Sequence, residues 1–320
     1  MSLSEFELIQ HCFAEQAAAY THPDVRLGIG DDCAIIGPSS GQDLLLTVDT
    51  LVAGVHFPEN LPPYQIAGRC LAVNLSDLAA MGAKPAWFTL ALTLPEANET
   101  WLREFSRGLF ALANSADISL VGGDTTRGPL SITIQVHGYV PAGRALRRDG
   151  AKPGDQVYVS GTLGDAGAGL KLCLAGNREN SDFLVRRFVS PTPRLALGQK
   201  LLEVASAAID ISDGLLADLG HILERSAVGA ELQVDWLPLS DELCELVGQN
   251  EAQKLALSAG DDYELCFCVP VERAAKLELI AEQIGVTLSH IGVITEQAGL
   301  RLINEAGQPV TSAQMGYQHF

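Results

Sequence analysis

Gln156-Val-Tyr-Val-Ser160-Gly-Thr-Leu-Gly164-Asp-Ala-Gly167-Ala-Gly169 is the stretch that decides the fold class. Its first five residues read as a strand, with β-branched and aromatic side chains closed off by a glycine. A Gly-rich turn and then a helical stretch follow. The alternation recurs downstream, where strand-like runs at Ala207 to Ile211, Glu231 to Val234, Glu264 to Val269 and Leu288 to Ile294 are separated by helical segments. Strands alternating with helices predict an α/β layer structure.

Upstream the pattern is mixed. Ser4 followed by Glu7 makes a capping box, and Phe6, Ile9, Phe13 and Ala17 recur at helical spacing, so a helix is expected to open the chain and end near Tyr20. Strands are expected around Ala34-Ile-Ile36, over Asp43 to Asp49 and over Trp87 to Leu94, with helices over Ile66 to Met81 and Thr100 to Ser115. Ile118 to Val121 and Leu130 to Val140 complete a first domain with a mixed sheet. The Gly- and Arg-rich segment Pro141 to Pro153 is the expected boundary, giving domains 1-140 and 141-320.

With 320 residues and 47% hydrophobic positions, the chain can build two ordinary cores. A formal charge of -18, with only 21 Lys and Arg, argues against a nucleic-acid binder, because backbone phosphates need a basic face. Acidity does not exclude a nucleotide substrate, since carboxylates hold Mg²⁺ and the bound ion reverses the local field. Seven scattered cysteines without a C-x-x-C pair fit neither a disulfide framework nor a zinc site. An acidic N-terminal stretch and the lack of eighteen consecutive apolar residues set the expectation of a cytoplasmic protein without a membrane partner.

Chemistry concentrates in the aspartates. Gly30-Asp31-Asp32, Val48-Asp49-Thr50, Leu75-Ser76-Asp77, Gly122-Gly123-Asp124-Thr125 and Ile209-Asp210-Ile-Ser212-Asp213-Gly214 stand at the ends of apolar runs beside Gly, Ser or Thr. An α/β fold presents groups to a ligand at such places. Any one of these residues alone reads as a turn former or helix cap, and Asp31 keeps that reading. Together they form a hard-oxygen set of the kind Mg²⁺ prefers, with phosphate oxygens completing the shell. No Walker loop and no protein-kinase motif set is present. The Gly161 to Gly169 segment can cradle phosphate at a helix N-terminus, but tight strand-helix packing is the preferred reading. Arg127, Arg144, Arg147 and Arg148 are candidates to neutralise a triphosphate, with a solvated loop the alternative for Arg144 and Arg147. His56 fits an acid, a donor or a surface residue equally well.

Read in order, Gly28-Ile-Gly-Asp-Asp-Cys-Ala34, Thr47-Val-Asp-Thr-Leu-Val-Ala-Gly-Val-His-Phe57, Ala72-Val-Asn-Leu-Ser-Asp-Leu-Ala-Ala-Met-Gly-Ala83, Gly122-Gly-Asp-Thr-Thr126, Ile209-Asp-Ile-Ser-Asp-Gly214 and Asp261-Asp-Tyr-Glu-Leu265 resemble the thiamine-monophosphate kinase family. That family belongs with the aminoimidazole-ribonucleotide synthetases and selenophosphate synthetases. The resemblance implies a two-domain fold that dimerises through N-terminal sheets and binds ATP between its domains. It also implies ATP-dependent phosphorylation of thiamine monophosphate. By the same resemblance Asp32, Thr47, Asp49, Asp77, Asp124, Asp210 and Asp213 are the Mg²⁺ ligands, with Asp49, Asp124 and Asp213 central to catalysis. Gly123, Asp124, Arg148 and Ser212 meet ATP, and His56, Asp261 and Tyr317 line the thiamine phosphate site. Two positions depart from the family: Asp261 stands where Glu is usual, and Tyr317 where some relatives carry Trp. The rival readings are a sister synthetase acting on selenide or a ribonucleotide amide, and a nucleotide-binding sensor that has lost its chemistry.

Overall fold

The computed structural model describes residues 9–29, 33–37, 40–176 and 182–310, and the chain forms two compact units. Unit one comprises Met1–Leu78 and Ala83–Gly143, and unit two comprises Ala79–Gly82 and Arg144–Phe320. Within the described part of the opening segment, a π-helical turn over Gln10–Ala14 runs into α-helical residues Glu15–Ala17 and buries Cys12 and Phe13. The Ser4 and Glu7 capping box lies outside the described residues.

In unit one a short pair, β1 (Val25–Leu27) and β2 (Ile35–Ile36), precedes a four-stranded sheet of β3 (Gln42–Val52), β4 (Lys84–Leu94), β5 (Ser119–Arg127) and β6 (Ser131–Pro141). The strand order is β3-β6-β4-β5, so β3 and β5 are the edges. β6 is antiparallel to both neighbours, while β4 and β5 run parallel through the intervening helix. That helix is α2 (Glu99–Ser115), whose first turn is capped by Asn98 accepting from the Trp101 N–H. The longer helix α1 (Pro63–Ala80) joins β3 to β4.

Two strands run further than their sequence suggested. β3 continues past Asp49 because Thr50-Leu-Val extends the alternation. β5 carries Gly122-Gly-Asp-Thr-Thr inside the strand, where its ladder to β4 overrides the glycines as breakers.

Unit two holds a six-stranded sheet in the order β12-β9-β11-β7-β10-β8, formed by β7 (Gln156–Ser160), β8 (Ala207–Asp210), β9 (Gly229–Gln233), β10 (Leu265–Val269), β11 (Leu288–Thr295) and β12 (Gly299–Ile303). Only the β9–β12 pair is parallel. β12 is an addition to the sequence reading, because Leu-Arg-Leu-Ile alternates over too few residues to stand out. The helices are α3 (Asp165–Leu174), α4 (Phe183–Val189), α5 (Leu195–Leu201), α6 (Leu215–Ser226), α7 (Asp241–Val247), α8 (Gln249–Ser258), α9 (Val271–Ala274) and α10 (Lys276–Ile284).

Helices cover both faces of this sheet. Cys266 and Cys268 of β10 pack with Leu215, Leu219 and Ala256 on one side, and Leu265, Phe267 and Val269 with Leu197, Leu201 and Leu277 on the other. A strand buried on both faces reads as a continuous apolar run, as Leu-Cys-Phe-Cys-Val does. Among the described residues no helix is long and apolar enough to cross a membrane.

Candidate functional site

Among the described residues two clusters of polar side chains concern the candidate residues, one in each unit. In unit one the inner residues of β3 alternate with outward-facing ones, which places Thr47 and Asp49 on the same face of the sheet. Helix α1 lies against them. The Thr47 hydroxyl donates to Asp77 at 2.7 Å, and the Asp49 N–H donates to the Asn74 amide oxygen at 3.1 Å. Asn74 and Asp77 are one helical turn apart, so one edge of α1 serves both contacts. The Asn74 side chain is itself fixed by donating to the Cys70 carbonyl at 2.9 Å.

Burial pushes the Asp49 carboxyl up to about 6, and the neighbouring Asp77 charge adds to the rise. A cation would relieve that strain, and the donors offered are hard oxygens only. Among the described residues no group of three or more His, Cys, Asp or Glu gathers into a closed cage. The hydroxyl and carboxylate oxygens of Thr47, Asp49 and Asp77 are donors of the type Mg²⁺ takes, an ion that commonly uses one or two carboxylates and fills its shell with waters and substrate phosphates.

Asp124 belongs to the same sheet but not to this cluster. Asp49 is in register with Ile134, Leu90 and Gly123 across the four strands, while Asp124 is in register with Ala91, Thr133 and Thr50. The two carboxylates therefore stand on opposite edge strands, three spacings or roughly 14 Å apart, and on opposite faces. Beside Asp124, a Cβ on Gly123 would fall 1.9 Å from the Leu90 carbonyl oxygen, so only glycine lets β5 approach β4 there. In the loop after β3, the His56 ring Nδ1 accepts from the Val52 N–H at 2.9 Å, which leaves the ring proton on Nε2.

In unit two the turn after β8 is held from below. One oxygen of Asp218, on the first turn of α6, accepts from the backbone N–H groups of Ser212 (3.0 Å), Asp213 (3.0 Å) and Gly214 (3.1 Å). Asp218 is buried, which pushes its carboxyl up to about 7 even as the N–H bonds pull it down. The turn is tied to a second one. The Ser212 carbonyl accepts from the Asp261 N–H at 2.9 Å, and the Ile211 carbonyl accepts from the Tyr263 N–H at 2.8 Å. Asp261 adopts a left-handed backbone with φ of 72°. Asp210 is buried at the end of β8, while Ser212, Asp213 and Asp261 are part-exposed.

Beneath the second turn, Asp262 accepts from Gly164 (2.6 Å) and Ala166 (3.1 Å). Its carboxylate thus fills the N-terminus of α3, the place where the Gly-rich segment would cradle a phosphate. Burial pushes Asp262 up to about 7 against the opposing charge of Arg187. Glu264, fully buried, pairs with Arg187 at 2.9 Å and accepts from Arg194 Nε and the Ser160 hydroxyl, each at 2.6 Å. Arg148 is exposed, and its carbonyl accepts from the Ser226 hydroxyl. Arg147 pairs with Asp149 at 2.9 Å.

Asp32 and Tyr317 lie outside the described residues. Sequence reasoning missed Asn74, Asp218, Asp262, Glu264, Arg187 and Arg194. Asn74, Asp262 and Glu264 sit inside motifs already quoted; Asp218 follows Gly214 by four residues, the spacing of a first-turn carboxylate that reaches back to its own helix start.

The two units coincide with two family models, the AIR synthase related protein N-terminal domain over residues 30–140 and its C-terminal domain over residues 152–304. A thiamine-monophosphate kinase of Salmonella typhimurium is 50% identical over 325 residues, covering 100% of this chain and 99% of that protein. The chain belongs to the thiamine-monophosphate kinase family. The crystal structure of the Stenotrophomonas maltophilia K279a thiamine-monophosphate kinase matches with a TM-score of 0.88 and 47% identity, over 97% of this chain and 99% of that one. AaThiL complexed with AMPPCP and TMP matches with a TM-score of 0.78 and 34% identity, over 99% and 97%.

Proposed function

We propose that this family member transfers the terminal phosphoryl group of ATP to thiamine monophosphate, giving thiamine diphosphate and ADP by direct in-line transfer. The observation that carries the reading is full-length similarity to proteins of that activity, including one complexed with AMPPCP and TMP. The oxygen-only set of Thr47, Asp49 and Asp77 agrees with it.

In this reading Asp32, Thr47, Asp49, Asp77, Asp124, Asp210 and Asp213 hold several Mg²⁺ ions, and Asp49, Asp124 and Asp213 are the catalytic carboxylates. When bound, the ions neutralise phosphate oxygens and let two anions approach. Gly123, Arg148 and Ser212 meet the nucleotide. His56 presents its Nε2–H as a donor to the acceptor phosphate, and Asp261 and Tyr317 receive the thiamine portion. The acceptor phosphate is ionised near neutral pH, so no residue need remove a proton and no phosphoenzyme is required. Asp49 and Asp124 face away from each other within one sheet, so in a single chain they serve different ions.

We also propose a homodimer formed through the unit-one sheets. Support comes from the two edges, β3 and β5, and from Leu44, Leu46 and Val48, which stand exposed on the β3 face opposite Thr47 and Asp49. An exposed apolar edge of that length is ordinarily covered.

The test is ATP consumption with Mg²⁺ and thiamine monophosphate, against free thiamine, following the diphosphate formed. Diphosphate from the monophosphate alone establishes acceptor and reaction. ATP hydrolysis without it points to a sister synthetase, and no ATP turnover points to a sensor.

A further inference from the structure

The turn that carries Ser212 and Asp213 is held from helix α6. Its three consecutive N–H groups, from Ser212, Asp213 and Gly214, all point at one oxygen of Asp218, at 3.0, 3.0 and 3.1 Å. Asp218 is 3% exposed, and its own N–H closes the circuit by donating to the Gly214 carbonyl at 3.0 Å. Helix α6 around it is anchored by the buried Leu215, Leu216, Leu219 and Ile222. A helix thus gathers three N–H groups of the turn on a single side-chain atom.

The turn passes that order on. Ile211 donates to the Glu264 carbonyl at 2.8 Å, Tyr263 donates to the Ile211 carbonyl at 2.8 Å, and Asp261 donates to the Ser212 carbonyl at 2.9 Å. These bonds continue the β8–β10 ladder beyond its last strand pair, Asp210 with Leu265. A shift of the Ser212 peptide must therefore move the Asp261 peptide as well.

We infer that Asp218 is a positioning residue for the phosphoryl transfer, setting the nucleotide and metal groups Ser212 and Asp213 and, through the Ser212 carbonyl, the acceptor group Asp261. The inference rests on the functional reading given above. An ordinary helix cap is the competing role: its loss would lower the folded fraction and leave the folded molecules' affinities intact.

The experiment compares wild type with Asp218→Asn, Asp218→Ala and Asp218→Glu by steady-state kinetics and by calorimetric titration with Mg²⁺ and AMPPCP. Both are read at a temperature where unfolding curves show each variant fully folded, because a folded fraction below one would itself raise an apparent KM or Kd. Asp218→Ala leaves three N–H groups without their acceptor. It is expected to raise KM for ATP and for thiamine monophosphate together, with kcat lowered ~100-fold, the scale of a misplacement near 1 Å. Asp218→Asn keeps an acceptor oxygen and should stay within several-fold of wild type on every constant. If the Ala variant does not fold, Asp218→Glu carries the test, since its acceptor is displaced by one methylene and should raise the same constants.

Constants within twofold of wild type in a folded Ala or Glu variant, whatever the apparent maximal rate, overturn the inference. A wild-type enzyme that makes no thiamine diphosphate refutes the functional reading instead, and the AMPPCP titration still decides whether Asp218 sets the Ser212–Asp213 turn.

Discussion

Replacing Gly169 with alanine separates the two roles open to the Gly161 to Gly169 segment. Gly169 lies inside α3, where a Cβ would meet the Leu184 carbonyl oxygen of α4 at 2.0 Å and the Phe188 Cβ at 3.1 Å. To regain ordinary contact near ~3.5 Å, the two helices must part by roughly 1.5 Å. They cannot do so freely, because Ala168 and Leu184 share a buried cluster with Leu243, Ala252 and Leu255. Overpacking of this kind costs ~1–3 kcal/mol, and a backbone obstacle places it at the upper end. Helix propensity returns ~1 kcal/mol of that. The expected net loss is therefore ~2 kcal/mol, or about 4–8 °C in Tm for a unit of this size. Gly220 in α6 has open space where its Cβ would go, so Gly220→Ala should stabilise by up to ~1 kcal/mol and serves as the control. Thermal and urea unfolding read both variants, and KM for ATP is measured alongside. A Gly169→Ala protein as stable as wild type refutes the packing argument, and a raised KM with unchanged stability shows that the segment contacts phosphate.

Three further outcomes are expected. Asp49→Asn and Asp124→Asn should each abolish turnover while circular dichroism and the unfolding midpoint stay near wild type, and normal activity in either sinks its assignment as a ligand. Asp262 sits near 7 in the folded protein against ~3.9 in an unfolded chain. The folded state then holds more protons between those values, so Asp262's contribution is present below ~4, falls as pH rises and is lost above about 7. Urea midpoints at pH 5 and pH 8 should differ in that direction, and Asp262→Asn should reduce the difference; an unchanged slope rejects the assignment. Leu46→Lys places a charge in the exposed apolar stripe of β3 and should shift sedimentation from dimer to monomer, whereas an unaltered dimer would move the interface elsewhere.

What the sequence made legible was periodic. Gln156 to Ser160, Thr100 to Ser115 and the apolar run of β10 all appear in the structure where their patterns put them, because side-chain spacing alone specifies a half-buried helix or a doubly covered strand. The place of the aspartates in the fold was less legible. Asp49 and Asp124 lie within strands, since ladder pairing over β3 and β5 outlasts the glycines and turn formers beside them. The supporting network was not legible at all. Glu264 reaches Arg194 across 70 residues and Asp262 reaches Gly164 across 98, and no local pattern encodes which buried carboxylate meets which donor.

That network bears on how so acidic a chain would attract a polyphosphate. The start of a helix is the natural place to bind an anion without a basic side chain. In unit two the starts of α3 and α6 are taken by the protein's own Asp262 and Asp218. Both carboxylates are buried, so neither helix offers its dipole to a ligand. With a formal charge of -18, the proposed reading leaves the pull on ATP to bound cations and a few exposed arginines such as Arg148. Aspartates proposed to hold those cations would need fixed backbone beneath them, and Asp218, which closes the start of α6, accepts from the N–H groups of Ser212, Asp213 and Gly214. Binding of the nucleotide should accordingly fall away when Mg²⁺ is withdrawn, far more steeply than the loss of any one arginine would produce.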